Sequence, residues 1–178
     1  AAYLSTHRKE AVATLEERSA VVLRHLSKGV EALTMVYKGS SAVKDDGGDI
    51  TEAFVTAYGR NRRREMEIGH TIVGPHRDDI LLYVDGKEAR VYCSEGQKRS
   101  CAVAMKIAEW QRLRDATGET PIMAVDDVEM AFDGAHREAL NEILMSLGQV
   151  FITSTQKLPY YPEEAHIEIG REKALTLG

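Results

Sequence analysis

Apolar residues near the start of the chain recur at helical spacing. Val12, Leu15, Val22 and Leu26 share one side of residues 5–27, Arg8, Lys9, Glu16, Glu17 and Arg24 hold the other, and Gly29 offers a stop. The pattern predicts one amphipathic helix. Residues 30–37 then alternate like a strand, and residues 38–48 are a loop rich in Gly, Ser and Asp. Asp49 followed by Glu52 has the spacing of a capping pair at a helix start. Ile50, Ala53, Phe54 and Ala57 would be the buried side of that helix, which is expected to end in Arg60, Arg62, Arg63 and Arg64. The texture changes at His70. Thr71, Ile72 and Val73 read as a strand, Gly74 to Asp79 as a polar corner, and residues 80–84 and 88–92 as a hairpin joined by the tight-turn pair Asp85-Gly86.

A second long helix is predicted from Ser94 to about Thr117. In it Cys101, Val103, Ala104, Ile107, Ala108 and Trp110 form one apolar arc, with Lys98, Arg99, Lys106 and Glu109 opposite. After Pro121 the run Ile122, Met123, Ala124, Val125 has no polar face, which suits a strand buried on both sides in a parallel or mixed sheet. It ends in Asp126 and Asp127. Asp133 is placed to cap a helix over residues 135–147 whose Leu140, Ile143, Leu144 and Leu147 face inward, and Gly148 ends it. Gln149, Val150, Phe151 and Ile152 form another buried strand. A connection of this length predicts a right-handed βαβ unit, with the second strand's exit, Thr153, Ser154, Thr155 and Gln156, beside Asp126 and Asp127 if the strands are neighbours. Beyond Pro159 and Pro162, residues 166–169 and 174–177 alternate around residues 170–173, suggesting a closing hairpin. The fold class is α/β.

At 178 residues the chain can bury one ordinary core with room for an appended subdomain. Its 43% hydrophobic and 29% charged content excludes a disordered chain. No apolar run reaches membrane-span length and the first residues lack the regions of a signal peptide, so the expectation is a cytoplasmic protein with no membrane partner. Cys93 and Cys101 lack a CxxC spacing and read as reduced thiols, and the histidines show no metal-ligand spacing. A net charge of −5 argues against a wholly basic nucleic-acid binder and leaves local patches open.

Four stretches carry candidate chemistry. Asp126 and Asp127 at a strand exit suit a Mg²⁺-linked phosphate site, because ligands of open α/β sheets bind at that edge; a solvated acidic turn is the plain alternative. The start of the Ser94 helix offers free N–H groups, a hydroxyl, the positive end of the helix dipole, and Gly96, which lets a ligand approach the main chain. That is an anion seat, with an ordinary N-cap as the alternative. Arg60, Arg62, Arg63 and Arg64 are the densest basic cluster, either a contact for phosphate backbone or a solvated helix end. The corner His76, Arg77, Asp78, Asp79 reads as a self-satisfied salt-bridged turn. A Gly-x-x-x-x-Gly-Lys-Ser/Thr loop appears nowhere in residues 1–178, so the chain is half of a nucleotide site or no nucleotide enzyme.

The order of these pieces resembles the C-terminal lobe of ABC-type and SMC-like (P-loop NTPase-like) ATPase heads, and more closely the bacterial RecF recombination-mediator family. The resemblance rests on Val73-Gly74-Pro75-His76-Arg77-Asp78-Asp79, on Ser94-Glu95-Gly96-Gln97-Lys98-Arg99, on Pro121 with Ile122 to Asp127 and Val128, and on Gln149-Val150-Phe151-Ile152-Thr153. It implies a helical arm or lid over residues 1–69 and an ATPase lobe with a mixed sheet over residues 70–178, the C-terminal part of a longer protein whose phosphate loop lies upstream. Ser94, Gly96 and Gln97 would match the signature motif that meets nucleotide held by the opposite subunit. Asp126 would hold Mg²⁺ through water, and Asp127 would polarise the attacking water. Asp133 would close the D-loop that couples the two sites, and Thr153, Ser154 and Thr155 would form the switch. Glu95 stands where the family usually has Gln, and Glu129-Met130-Ala131-Phe132 departs from the usual link before Asp133.

The implied function is an ATP-gated DNA clamp in DNA repair, replication and recombination, including the SOS response. ATP and Mg²⁺ would be its cofactors, a homodimer its closed form, and gapped DNA, single-strand/double-strand junctions and mediator proteins its partners. Weak ATPase activity is implied for the full-length dimer and none for the chain alone. A non-catalytic DNA- or protein-interaction module working through Arg60 to Arg64 is the competing reading, and another SMC- or ABC-type head is a third. Thr at the switch position, and the lack of a recognisable membrane-coupling segment, disfavour a transporter subunit.

Overall fold

The structure, a computed structural model, describes residues 1–40, 43, 48–126, 134–156, 158, 161–162 and 165–167. It comprises two compact units, Ala1–Glu119 and Thr120–Gly178. The boundary expected between residues 69 and 70 therefore falls inside the first unit. That unit runs α1 (Ala2–Leu26), β1 (Leu33–Lys38), α2 (Ile50–Ile68), a 3-10 turn (Pro75–Arg77), β2 (Asp79–Val84), β3 (Lys87–Glu88), the single turn α3 (Ala89–Tyr92) and α4 (Glu95–Thr117). The second runs β4 (Met123–Val125), α5 (Gly134–Ser146) and β5 (Val150–Ile152).

In the first unit α1 packs on α4 and on β1. The two helices run antiparallel, since Arg18 donates to Asp115 at 2.7 Å while Glu31, just past α1, meets Gln97 in the first turn of α4 at 2.9 Å. Their apolar stripes supply the main core. Leu23, Leu26, Cys101, Ala104, Ile107 and Ala108 are each at most 1% exposed, and a leucine or isoleucine buried this way contributes about 1.5–3 kcal/mol. α1 stops where Lys28 and Gly29 take positive φ in succession, 52° and 89°, and the Gly29 N–H donates to the Arg24 carbonyl.

β1, β2 and β3 form an antiparallel sheet in that order, with β1 and β2 in register from Leu33↔Val84 to Lys38↔Asp79. Leu33, Met35 and Val84 are buried in the core. Asp85 and Gly86 both have positive φ, as a two-residue hairpin turn requires. Two expected strands fail here. Residues 89–92 wind into α3, closed by the Cys93 N–H on the Ala89 carbonyl, so the hairpin's second arm is only Lys87–Glu88. Residues 71–73 pair with no strand, because Glu65 of α2 accepts the Ile72 and Val73 N–H groups at 2.7 and 3.1 Å.

Asp49 caps α2, its carboxylate accepting from the Thr51 N–H at 2.8 Å, and Gly69 closes the helix in the left-handed conformation. Phe54 and Ala57 join Val73 in a second small core, packed by Ala2, Val43, Ile50 and Ile72. α2 continues to Ile68, so the arginines expected at its end lie in its body.

In the second unit β4 and β5 pair in parallel, from Met123↔Val150 to Val125↔Ile152, with α5 between them in sequence. Leu140, Leu144 and Leu147 are buried and Ile143 is half-buried. The strands are not buried on both faces. Ala124 of β4 is exposed and Phe151 of β5 is 53% exposed, because a two-stranded pair leaves one face without cover among the described residues. Among the described residues no helix is long and apolar enough to cross a membrane. Asp127, Asp133 and most of the expected closing hairpin lie outside the described residues.

Candidate functional site

Ser94 leaves the helical backbone at ψ 161° and caps α4. Its Oγ accepts from the Gln97 N–H at 3.2 Å, and the Gln97 Oε1 accepts from the Ser94 N–H at 2.9 Å, a reciprocal capping box. Ser94 is nevertheless exposed, and the box uses its oxygen but not its proton. The N–H groups of Glu95 and Gly96 have no acceptor within the helix, as at any helix start. A Cβ added to Gly96 meets only the Ser94 Oγ at 3.9 Å, an ordinary contact, and its backbone is outside the left-handed region. Nothing in the chain's own fold requires glycine there, although glycine costs a helix roughly 0.5–1 kcal/mol against alanine. Glycine there leaves the main chain open to approach from outside.

Glu95 sits beside this mouth. The Lys98 ammonium, 2.9 Å away, hydrogen-bonds its carboxyl and holds it below the usual carboxylate range, with Arg99 adding to the effect. The unusual carboxylate is thus neutralised by its own helix. The Gln97 Nε2 donates to Glu31 Oε1 at 2.9 Å, so both ends of that amide are taken.

At the exit of β4, Asp126 is exposed. The Thr153 N–H donates to the Val125 carbonyl at 2.9 Å, continuing the β4–β5 ladder, and the Thr153 hydroxyl donates to the Asp126 carboxylate. The hydroxyl-rich exit of β5 therefore lies beside Asp126, as the strand–helix–strand pattern expects. Ser154 turns inward to Gln156, donating to its carbonyl and accepting from its N–H at 3.1 Å, and Thr155 is exposed. An exposed carboxylate steadied by a neighbouring hydroxyl can hold a hydrated divalent cation.

The four arginines of α2 are all exposed. At 3.6 residues per turn Arg60, Arg63 and Arg64 share an arc of about 100°, while Arg62 stands on the far side near Tyr58. Arg63 also pairs with Glu67 at 3.1 Å. One phosphate backbone cannot meet all four at once.

No family model matches the chain. It is 36% identical over 156 residues to the DNA replication and repair protein RecF of Protochlamydia amoebophila, 87% of this chain and 44% of that protein. It is 34% identical over 157 residues to the RecF of Bacillus subtilis, 87% of this chain and 42% of that protein. A solved structure of the recombination mediator protein RecF-ATP in the RecFOR pathway matches at TM-score 0.72 and 27% identity, over 87% of this chain and 42% of that one. The RecF-ATPrS structure matches at 0.72 and 26%, with the same coverage. The chain belongs to the RecF family. It spans less than half the length of the RecF proteins it matches.

Within this RecF-family chain the polar corner is not self-satisfied. Its Asp78 side chain is 4% exposed and gathers donors from elsewhere: the Tyr37 hydroxyl at 2.6 Å, the Ser40 N–H at 3.0 Å, Arg8 at 3.1 Å and the Ser5 hydroxyl at 3.4 Å. Arg8 also donates to the Pro75 carbonyl. Desolvation, and then the bond to Asp78, push the Tyr37 phenol up. His76 folds back on the Thr71 carbonyl at 3.2 Å. Sequence reasoning missed Glu31 altogether and placed Asp78 in a self-satisfied turn without its distant partners. Local spacing carries no signal for either, because their partners lie 38 to 73 residues away.

Proposed function

We propose that this RecF-family chain is the C-terminal part of an ATPase head of the SMC and ABC type, with the arm in residues 1–69 and the lobe in residues 70–178. Two such heads close as an ATP-dependent homodimer, hold DNA while closed and open after hydrolysis. The observation that carries the reading is the open mouth of α4, where Gly96 serves no need of this chain and Ser94 keeps a proton to donate. There the Ser94 hydroxyl and the Glu95 and Gly96 N–H groups meet the terminal phosphate of nucleotide on the sister molecule. Gln97, with a bond at each end of its amide, holds the mouth in shape.

At the β4 exit Asp126 holds Mg²⁺ through water and Asp127 orients the attacking water. Asp133 couples the two sites, and Thr153, Ser154 and Thr155 form the switch. Bound Mg²⁺–ATP supplies the phosphoryl chemistry, and the chain supplies positioning and charge neutralisation. The solved relative's description as the recombination mediator RecF-ATP in the RecFOR pathway supports ATP as the nucleotide and recombination as the setting, and the relatives' names support DNA repair; mediator proteins and gapped or junction DNA are the partners this reading assigns. The phosphate loop comes from the remainder of the longer protein, which also covers the open face of β4 and β5, so the 178 residues alone do not hydrolyse ATP.

The test is Gly96→Val in the full-length protein. The added Cβ meets only ordinary contact in the monomer, and the branched side chain stands over the mouth. ATP binding by the monomer should persist while ATP-driven dimerisation weakens by about tenfold or more, as expected when a transition-state or closure contact is lost. Dimerisation at the wild-type ATP concentration would overturn the reading.

A further inference from the structure

Glu31 lies in the link between α1 and β1, far in sequence from the α4 mouth, and yet its carboxylate reaches under it. Its Oε1 accepts from Gln97 Nε2 at 2.9 Å. Its other oxygen, Oε2, is buried and has no hydrogen-bond partner among the described residues. Its own N–H donates to Ser27 Oγ at 3.0 Å, which pins it to the last turn of α1. The neighbouring Ala32 is fixed just as firmly, exchanging bonds with Asp85: its N–H to the Asp85 carboxylate at 3.0 Å and its carbonyl from the Asp85 N–H at 2.9 Å. The link is held at both ends.

A side-chain amide has one accepting and one donating end. With an anionic acceptor facing its Nε2, Gln97 cannot turn over without losing a charge-assisted bond, and so its Oε1 stays on the Ser94 N–H. A buried carboxylate oxygen left unpaired costs stability, which is a poor choice for a merely structural contact. The negative charge also reaches the thiols around it, being among the influences that push Cys93 and Cys101 up. We infer that Glu31 is a positioning residue for the nucleotide-facing mouth: by fixing the flip of the Gln97 amide it holds Ser94 in its capping box, and it ties that box to the end of α1. A displacement of α1 then reaches Ser94 through the chain Ser27, Glu31, Gln97. The positioning of Ser94 stands on the observed bonds, and its consequence for nucleotide rests on the proposed role of the α4 mouth.

The experiment has two arms. In the 178-residue chain, Glu31→Ala should raise the amide hydrogen-exchange rate of Ser94 and Gln97 by about tenfold relative to wild type, the loss expected for one charge-assisted bond. Protection across β1 should stay as in wild type, which separates this effect from unfolding. Glu31→Gln, which keeps an acceptor oxygen but loses the charge and can face Gln97 with either end of its amide, should restore only part of it. In the full-length protein, Glu31→Ala should raise the ATP concentration needed for dimerisation and leave ATP affinity of the monomer unchanged, with Glu31→Gln falling between it and wild type. Unchanged Ser94 protection in Glu31→Ala overturns the positioning role. Lost protection together with dimerisation that ignores both Glu31→Ala and Gly96→Val overturns the nucleotide reading instead.

Discussion

Asp78 shows how one carboxylate can organise a region that spacing alone describes as a turn. It joins α1 through Arg8 and Ser5, β1 through Tyr37, and the loop after β1 through the Ser40 N–H. Replacing it with alanine leaves a phenol and a backbone N–H without their acceptor. Asp78→Ala should therefore lower the unfolding free energy by about 3 kcal/mol, read as a shift in urea midpoint at unchanged slope. A second residue-level outcome concerns pH. Burial is the main cause that pushes the Cys101 thiol up from 9.0 to about 11, so the fold favours its neutral form. The corresponding stability is complete below pH 9 and is lost as pH rises from 9 toward 11. Cys101→Ala should flatten the stability curve over that window, as chemical denaturation at several pH values would show. At this scale the Ser94 cap is legible in the sequence, because a polar helix start is written in neighbouring residues. Asp78 is visible there only as part of a dense polar corner, since its donors come from elements far along the chain.

Among the elements, α1, α2, α4 and α5 follow from apolar spacing and their stops, because a long helix repeats its signal over several turns. Short pieces do not. Residues 89–92 carry too few positions to tell an alternating strand from one helical turn, and residues 71–73 are held by the Glu65 side chain where the pattern expects a strand partner. Two outcomes belong to single elements. Gly96→Ala in the 178-residue chain should raise its stability by about 0.5 kcal/mol, since the new methyl meets only ordinary contact and glycine is unfavourable in a helix. A drop would mean that the fold itself needs glycine there. On α2 the arginines divide by face. If the Arg60, Arg63 and Arg64 face meets DNA backbone, changing those three to alanine should weaken DNA binding and lower its salt dependence, while Arg62→Ala should do little. Equal effects from both, measured by binding against salt concentration, would place the contact elsewhere.

For the molecule as a whole, the apolar run before Asp126 predicts a strand buried on both faces, and β4 and β5 leave Ala124 and Phe151 in solvent. The run is indeed strand; its cover has to come from beyond the described residues, which no pattern inside the run could tell. The same partition governs chemistry. Ser94 and Asp126 are each placed at an open edge of their own unit, and under the proposed function each works on nucleotide with a different neighbour. Asp127→Asn in the full-length protein should then bind ATP and dimerise but turn over at least about tenfold more slowly, because water orientation is lost while the phosphate contacts remain. The most direct measurement mixes two impaired full-length variants, Gly96→Val and Asp127→Asn. If the mouth of one molecule completes the acidic edge of its sister, mixed dimers contain one intact site, and ATPase activity should return to about a quarter of the wild-type rate in an equal, random mixture. Activity that stays at the level of the separate variants would contradict a nucleotide site shared between two molecules.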